Sequence, residues 1–271
     1  MATLRREPGV AAVGPPRPVA PDLTRIDVVS RYGPLDDRTQ DLVRDLRAVP
    51  APFEVGVTGQ TADFVDQKSS LGSHIPVAVA ILAVTTLIIL FLFTGSAILP
   101  LKALVMNLLT LSAAFGILVL VFQHGRLEEL LGYTSQGALE SSQPVVLFAV
   151  AFGLSTDYGV FLLSRIKEAR DRGAPDREAV ARGLQRTGRI VTAAALLFCV
   201  AIGAFATSRI IFIKELGIGT ALAVILDATI IRALLVPALM ELLGRWNWWA
   251  PRPLRRIHHR FGLDEVAPAP A

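Results

Sequence analysis

The sequence predicts an α-helical polytopic membrane protein with a partial α+β segment at its N-terminal end. Three observations carry that prediction. Of the 271 residues, 52% are hydrophobic and only 18% are charged. The mean hydropathy is +0.52, above that of an ordinary soluble domain. From Ile75 onward, five apolar stretches are long enough to cross about 30 Å of hydrocarbon at about 1.5 Å per helical residue, with charges clustered between them.

Residues 1–73 are polar and mixed, with nine Lys/Arg against ten Asp/Glu. Arg25–Ser30 reads as a strand with a short apolar core. Asp36–Val49 reads as a helix, because Leu42, Val43, Leu46 and Val49 share one face and Pro50 follows the end. Phe53–Thr58 alternates like a half-buried strand. Such a strand–helix–strand piece is too small for a good core by itself.

The five predicted spans cover roughly 75–95, 98–122, 144–164, 188–208 and 215–242. The second carries Lys102 near its start and Asn107 inside. The fourth is rich in alanine, a composition that suits close helix–helix contact, although such helices are common without any special role. Gly217 and Gly219 read as small residues entering the fifth helix.

The distribution of Lys and Arg orients these spans. Segment 165–189 holds eight cations and four acids, and Arg245, Arg252, Arg255, Arg256 and Arg260 follow the fifth span. The loops on the other side are poor in them: 123–143 has Arg126, and 209–214 has Arg209 and Lys214. The expected topology therefore puts loop 165–187 and the C-terminal tail 245–271 in the cytoplasm. Residues 1–73 fall outside, and 74–244 form the membrane domain of a plasma-membrane protein. Within the loop, Asp176–Gln185 reads as a helix whose arginines face anionic headgroups. Trp246, Trp248 and Trp249 read as an interfacial belt, and Ala267–Ala271 as a disordered end. No signal peptide and no span precede the polar segment of 73 residues, so the expectation is a piece of a longer protein or a split or truncated gene product.

The first candidate site is Asp157 and Tyr158, in the middle of the third span. A carboxylate in hydrocarbon costs about 2.5–3.5 kcal/mol on insertion scales, so it is retained where it does work. On a helix the two side chains diverge by about 100° and address two neighbours. Small or polar Ser155, Thr156 and Gly159 suggest a tight interior position. The plainer reading is a buried carboxylate held by hydrogen bonds as a packing device.

The fifth span adds Asp227 and Arg232. Five residues apart on an α-helix is a rotation of about 140°, so each is expected to need a partner on another helix. Asp227 reads as a second relay residue, or as the structural partner of Thr192 or of Arg232 in a neighbouring copy. Arg232 reads as snorkelling toward the cytoplasm. For both, the structural role ranks first.

Other chemistry finds little support. Cys199 is the single cysteine, and His74, His124, His258 and His259 have no ligand-like spacing, so no metal site is expected. His258 and His259 read as an exposed, solvated pair. There is no glycine-rich phosphate loop with a lysine, and Ser155 and Ser164 lack a nearby histidine base. An enzyme is therefore not expected, nor a cofactor. The isoelectric point near 9.6 is explained by topology rather than by nucleic acid as a partner.

The run Gly153–Glu168 (GLSTDYGVFLLSRIKE), Ala179–Ala195, Leu226–Met240 (LDATIIRALLVPALM) and Trp248–Pro251 resemble the MMPL family of the resistance–nodulation–division (RND) superfamily of proton-driven exporters. The resemblance covers essentially the whole membrane part, and Gly56–Ser70 looks like the end of the family's extracytoplasmic porter domain. It implies the last five of twelve membrane helices, with 1–73 a partial porter domain. It also implies that Asp157 and Tyr158 match the second-half member of a pair of Asp-Tyr proton relays. The first-half pair has no counterpart here. Protons would be the coupling ion. Membrane lipids, a lipid or other hydrophobic cargo, and either the N-terminal half of the transporter or another copy would be the partners. The alternative is a non-transporting module: an inactive fragment, a scaffold or a lipid-binding regulator.

Overall fold

The computed structural model describes residues 2–262, and the predicted disordered end at 267–271 lies outside them. The chain divides into two compact units, one formed by residues up to Ile75 together with Val119–Ser141, the other by Pro76–Leu118 and the residues from Ser142 onward.

In the first unit, α1 (Ala2–Arg6) leads into β1 (Val10–Val13), β2 (Arg17–Ala20), β3 (Leu23–Arg25) and β4 (Val28–Ser30). Two antiparallel ladders result: β1 pairs with β4, with Val13 opposite Val28, and β2 pairs with β3, with Arg17 opposite Arg25. Pro18 is tolerated because a strand in a two-stranded ladder has a free edge. Helix α2 (Asp37–Ala48) closes this layer, burying Leu42 and Leu46 against Val10, with Leu4, Val13, Val28 and Val57 at the margin. Asp36 caps it, accepting from the Arg38 backbone N–H at 2.9 Å, and the Arg38 guanidinium holds the Asp36 carboxyl below the usual carboxylate range. Arg47 grips Asp66 with two hydrogen bonds of 2.6 and 2.8 Å.

The helix was legible here and the strands were less so. The predicted 25–30 strand is broken at Ile26 and Asp27 into the ends of β3 and β4. The predicted strand at 53–58 is not one: Phe53 and Val55 are exposed and only Val57 reaches the core. Alternation makes a strand only where an edge is present to pair with it. Residues 119–141 hold a π-turn (Val119–Gln123) and the short α5 (Glu128–Leu131), tied down by Ser135 Oγ donating to the Phe122 carbonyl at 2.7 Å.

Five helices are long and apolar enough to cross a membrane: Gln60–Thr94, Ile98–Gln123, Gln143–Asp171, Asp176–Thr207 and Ile211–Trp248. They comprise α3 (Gln60–Thr94), α4 (Ile98–Leu118), α6 (Gln143–Asp171), α7 (Asp176–Gly203), and a composite fifth span. That span runs as α8 (Ile211–Leu226), a π-helical stretch (Asp227–Leu235) and α9 (Val236–Leu243). A basic helix, α10 (Arg252–Phe261), follows.

The segment read as a loop with its own helix is the junction of two long helices. α7 begins at Asp176 as predicted but runs unbroken into the fourth span. Its cations are largely satisfied within the protein. Arg165, Arg172 and Arg186 converge on Glu168 at 2.7, 2.6 and 3.8 Å, and Arg170 bonds Asp176 at 3.0 Å. Arg170 also lies 4.4 Å over the ring of Trp248, which packs on the core. Trp246 and Trp249 are exposed, whereas Trp248 departs from the expected belt as a clasp between α6 and the segment after the fifth span.

His258 departs from the expectation of a solvated pair. Its ring packs against Gly95, and Phe91 lies edge-on with ring centroids 6.1 Å apart. Gly95 has φ +69°, and a Cβ there would sit 3.0 Å from the imidazole, so this turn requires glycine on both counts. On the same turn, Ser96 Oγ donates to the Asn247 carbonyl at 2.5 Å and Ala97 N–H to the Trp249 carbonyl at 3.0 Å.

The bundle packs around the fifth span, which touches α4, α6 and α7. Two glycines permit it. A Cβ on Gly217 would lie 2.7 Å from Phe205 Cβ and 2.8 Å from the Ile202 carbonyl, and one on Gly219 would lie 2.6 Å from Leu118 Cδ1. Close contacts therefore come from the fifth helix and from Gly183 in the first part of α7, where a Cβ would collide with the Ile166 side chain. The alanine-rich stretch of α7 instead leaves Leu196, Leu197 and Val200 exposed. Gly217→Ala should destabilise the solubilised chain by about 1–3 kcal/mol, because backbone atoms cannot step aside. Gly188→Ala, where a Cβ meets open space, should be neutral or slightly stabilising. Thermal unfolding in detergent compares the two, and equal effects would refute the packing account.

Candidate functional site

The fifth span would be an ordinary helix but for Pro237. Proline has no N–H to donate and its ring crowds the carbonyl four residues earlier, so the ladder ahead of it is free to widen. It does so over Asp227–Leu235, where the Val236 N–H bonds the Ile231 carbonyl five residues back. In an i→i+5 helix, residues five apart share a face. Arg232 Nε therefore donates to Asp227 Oδ2 at 2.6 Å within one helix, with both side chains 8% exposed. The expected 140° separation is overturned by the change of helix type.

Two further helices meet this pair. From α6, the Ser155 carbonyl accepts from Arg232 Nη2 at 2.6 Å, and Ser155 Oγ donates to Asp227 Oδ1 at 2.7 Å. The Tyr158 ring lies under the guanidinium, 5.2 Å from Cζ. From α4, Asn107 Oδ1 lies 2.6 Å from Ser155 Oγ, and its Nδ2 donates to Thr156 Oγ1 at 3.2 Å. Ser155, Asn107, Asp227 and Arg232 are all buried. Thr192 is exposed and takes no part, and Arg232 does not snorkel.

Ser155 has one hydroxyl hydrogen and two acceptors within reach. If Asp227 is ionised, the hydrogen serves the carboxylate and Asn107 has to turn its amide nitrogen toward Ser155. If Asp227 carries a proton, Asp227 donates to Ser155 and Ser155 donates to Asn107. The network thus has two hydrogen-bond patterns that differ by one proton and one amide orientation. Tyr158, Ser155, Asp227 and Arg232 also line a cavity of about 10 Å³, close to the space one water needs.

Asp157 is placed differently from the expectation. It is exposed on α6, while Tyr158 is half-buried on the inner side, so the adjacent pair is split between the outer face and the polar core. Among the described residues the buried carboxylates are Glu215 and Asp227, and Asp227 is the one paired with Arg232. Sequence reasoning singled out Asp157, Tyr158, Asp227 and Arg232 but missed Ser155 and Asn107 as their connectors. The usable signal was Pro237, four residues beyond Ala233 and five beyond Arg232, which marks where a helix relaxes.

The family model that matches is described as the MMPL family, over residues 36–269. The chain belongs to the MMPL family. It is 49% identical over 239 residues to a putative membrane protein of Streptomyces coelicolor, SCO6666, covering 88% of this chain and 34% of that protein. It is 45% identical over 226 residues to the trehalose monomycolate exporter MmpL3 of Mycolicibacterium smegmatis, covering 83% and 22%. It is 34% identical over 271 residues to the heme uptake protein MmpL11 of Mycobacterium tuberculosis, covering 98% and 28%. The chain thus spans about a third or less of the length of these MMPL relatives. With its five apolar helices, it is a multi-pass membrane protein.

Removing one partner of a buried ion pair leaves the other uncompensated, at a cost of about 3–5 kcal/mol. Arg232→Met and Asp227→Asn should each lower stability by that order. The double variant should lose clearly less than the sum, as measured by a double-mutant cycle on unfolding in detergent. Additive losses would mean that the pair is not coupled.

Proposed function

We propose that this chain is the C-terminal part of an MMPL-type exporter that moves lipids or other hydrophobic molecules across the plasma membrane, driven by the proton gradient. Its family and the cargoes named for its relatives, trehalose monomycolate and heme, support the class of substrate. The observation that carries the mechanism is the split Asp157–Tyr158 pair. A carboxylate stands uncovered in the middle of a membrane helix, and the tyrosine beside it reaches the buried Asp227–Arg232 pair.

In this reading, the Asp157 face is covered by the N-terminal half of the transporter or by another copy, which brings an apposed relay group. Residues 1–73 face outside, and loop 165–187 and the C-terminal segment face the cytoplasm. A proton entering from outside neutralises Asp157. The carboxyl then no longer resists an apolar neighbour, and α6 repacks against its partner. Tyr158 carries the change inward, because its ring shares Arg232 with Asp227. Protons are the coupling ion, and no cofactor or metal takes part.

In a reconstituted, paired or full-length assembly, Asp157→Asn should abolish proton-coupled transport while leaving membrane insertion and elution volume unchanged. Tyr158→Phe should reduce it at least tenfold. Transport by Asp157→Asn at the wild-type rate would remove the relay role. Loss of association without any proton flux in the wild type would mark a non-transporting module instead.

A further inference from the structure

The mechanism above leaves Lys102, a half-buried cation, unused. Lys102 lies one turn inside α4, and its Nζ is buried with no hydrogen-bond partner among the described residues. It lines a cavity of about 50 Å³, distinct from the small one beneath Tyr158 and walled by four elements. Thr86 comes from α3, Lys102 and Asn107 from α4, Ser155 and Thr156 from α6, and Asp227 and Arg232 from the fifth span. Arg232 contributes a second buried atom without a partner, Nη1.

A buried ammonium without hydrogen bonds is among the most costly arrangements in a protein, and waters relieve it where there is space and polar lining. This cavity has the space, and seven of its seventeen lining residues are polar. Its volume holds about three waters. Lys102 and Asn107 are five residues apart, so about 7.5 Å of helix axis separates the lysine from the Ser155–Asp227 network. Lys102 also stands at the end of the bundle where the α3–α4 turn bonds Asn247 and Trp249, beside the basic helix α10.

We propose that this cavity is a hydrated inlet joining that end of the bundle to Asp227, and that Lys102 is the proton-transfer group within it. The inference rests on the proton-driven reading and extends it to the inner limb of the path. A proton delivered through the water-sized cavity beneath Tyr158 first protonates the Asp227 carboxylate. It then leaves that carboxyl, breaking the O–H bond, and passes through water to the neutral Lys102 amine, forming an N–H bond. The resulting ammonium then releases a proton to water at the bundle's end. Asp227 and Arg232 are the charged groups facing Lys102 across the cavity, while α3 and α6 supply uncharged Thr86, Ser155 and Thr156. Loss of the proton from Asp227 switches the Ser155 hydroxyl toward the carboxylate and turns the Asn107 amide. Emptying the inlet is thereby coupled to a change between α4 and α6.

The test separates water access from transport. In a Cys199→Ala background of the reconstituted assembly, Lys102→Cys and Thr86→Cys should react with aqueous silver ion at least tenfold faster than Ile88→Cys, which lies on the exposed face of α3. Rates equal to that control would mean a dry cavity and overturn the proposal. Lys102→Met should lower proton flux at least tenfold, and Lys102→His should restore flux with its pH optimum moved downward. Wild-type flux in correctly inserted Lys102→Met would also overturn it. Should Lys102→Met fail to insert, an unshifted pH profile in Lys102→His would do the same. Silver reactivity at Lys102→Cys together with normal transport by Asp157→Asn would instead refute the Asp157 relay and leave the inlet standing.

Discussion

The Arg232 guanidinium meets Asp227 on its own helix, the Ser155 carbonyl on α6 and the Tyr158 ring below, while Ser155 hands the connection on to Asn107 of α4. Three membrane helices are therefore joined through one buried cation. Apolar packing between helices is weakly directional in lipid, because hydrocarbon tails are as apolar as leucine. Hydrogen bonds that have no water to replace them fix which faces meet. The widened turn at Asp227–Leu235 makes this possible, since it brings together two charges that an α-helix would hold apart.

Around that centre, the packing follows from small residues on the fifth helix rather than on the alanine-rich fourth. Gly217 and Gly219 let α8 approach the end of α7 and Leu118 of α4 closely enough for the polar groups to reach one another. Gly183 does the same where α7 crosses α6, since a Cβ there would collide with Ile166. At the bundle's end, Trp248 under Arg170 and His258 on Gly95 hold the last segment against the α3–α4 turn.

Proton linkage in such a network needs a carboxyl whose two states are both accommodated. Asp227 has that property by hydrogen count, because Ser155 can either donate to it or accept from it. Asp157 differs in kind: it lies on an uncovered face of α6, so its environment is set by whatever packs there. Asp227 is thus an inner carboxyl with its partners in place, and Asp157 an outer one on an exposed face. Tyr158 lies between the two.

The five spans were legible in the sequence because crossing hydrocarbon is a local requirement of length and hydropathy, and so was α2, whose apolar face and cap are adjacent in the chain. Asp157, Tyr158, Asp227 and Arg232 were legible as polar groups within apolar spans. The pairing of Asp227 with Arg232 was not, because it depends on helix type and α-helical rotation argues against it. The roles of Ser155 and Asn107 were hidden for a related reason: a serine or asparagine in a membrane helix is unremarkable until another helix brings a carboxylate to it. Strand 53–58 was misread because alternation does not supply a pairing edge. By itself, the sequence determined what must lie in the membrane and which charges would be costly there, since both follow from each residue's own transfer energy. Which charges meet, and which face stays open, was decided only by tertiary structure, where a proline-relaxed turn and two close-packed glycines set the distances.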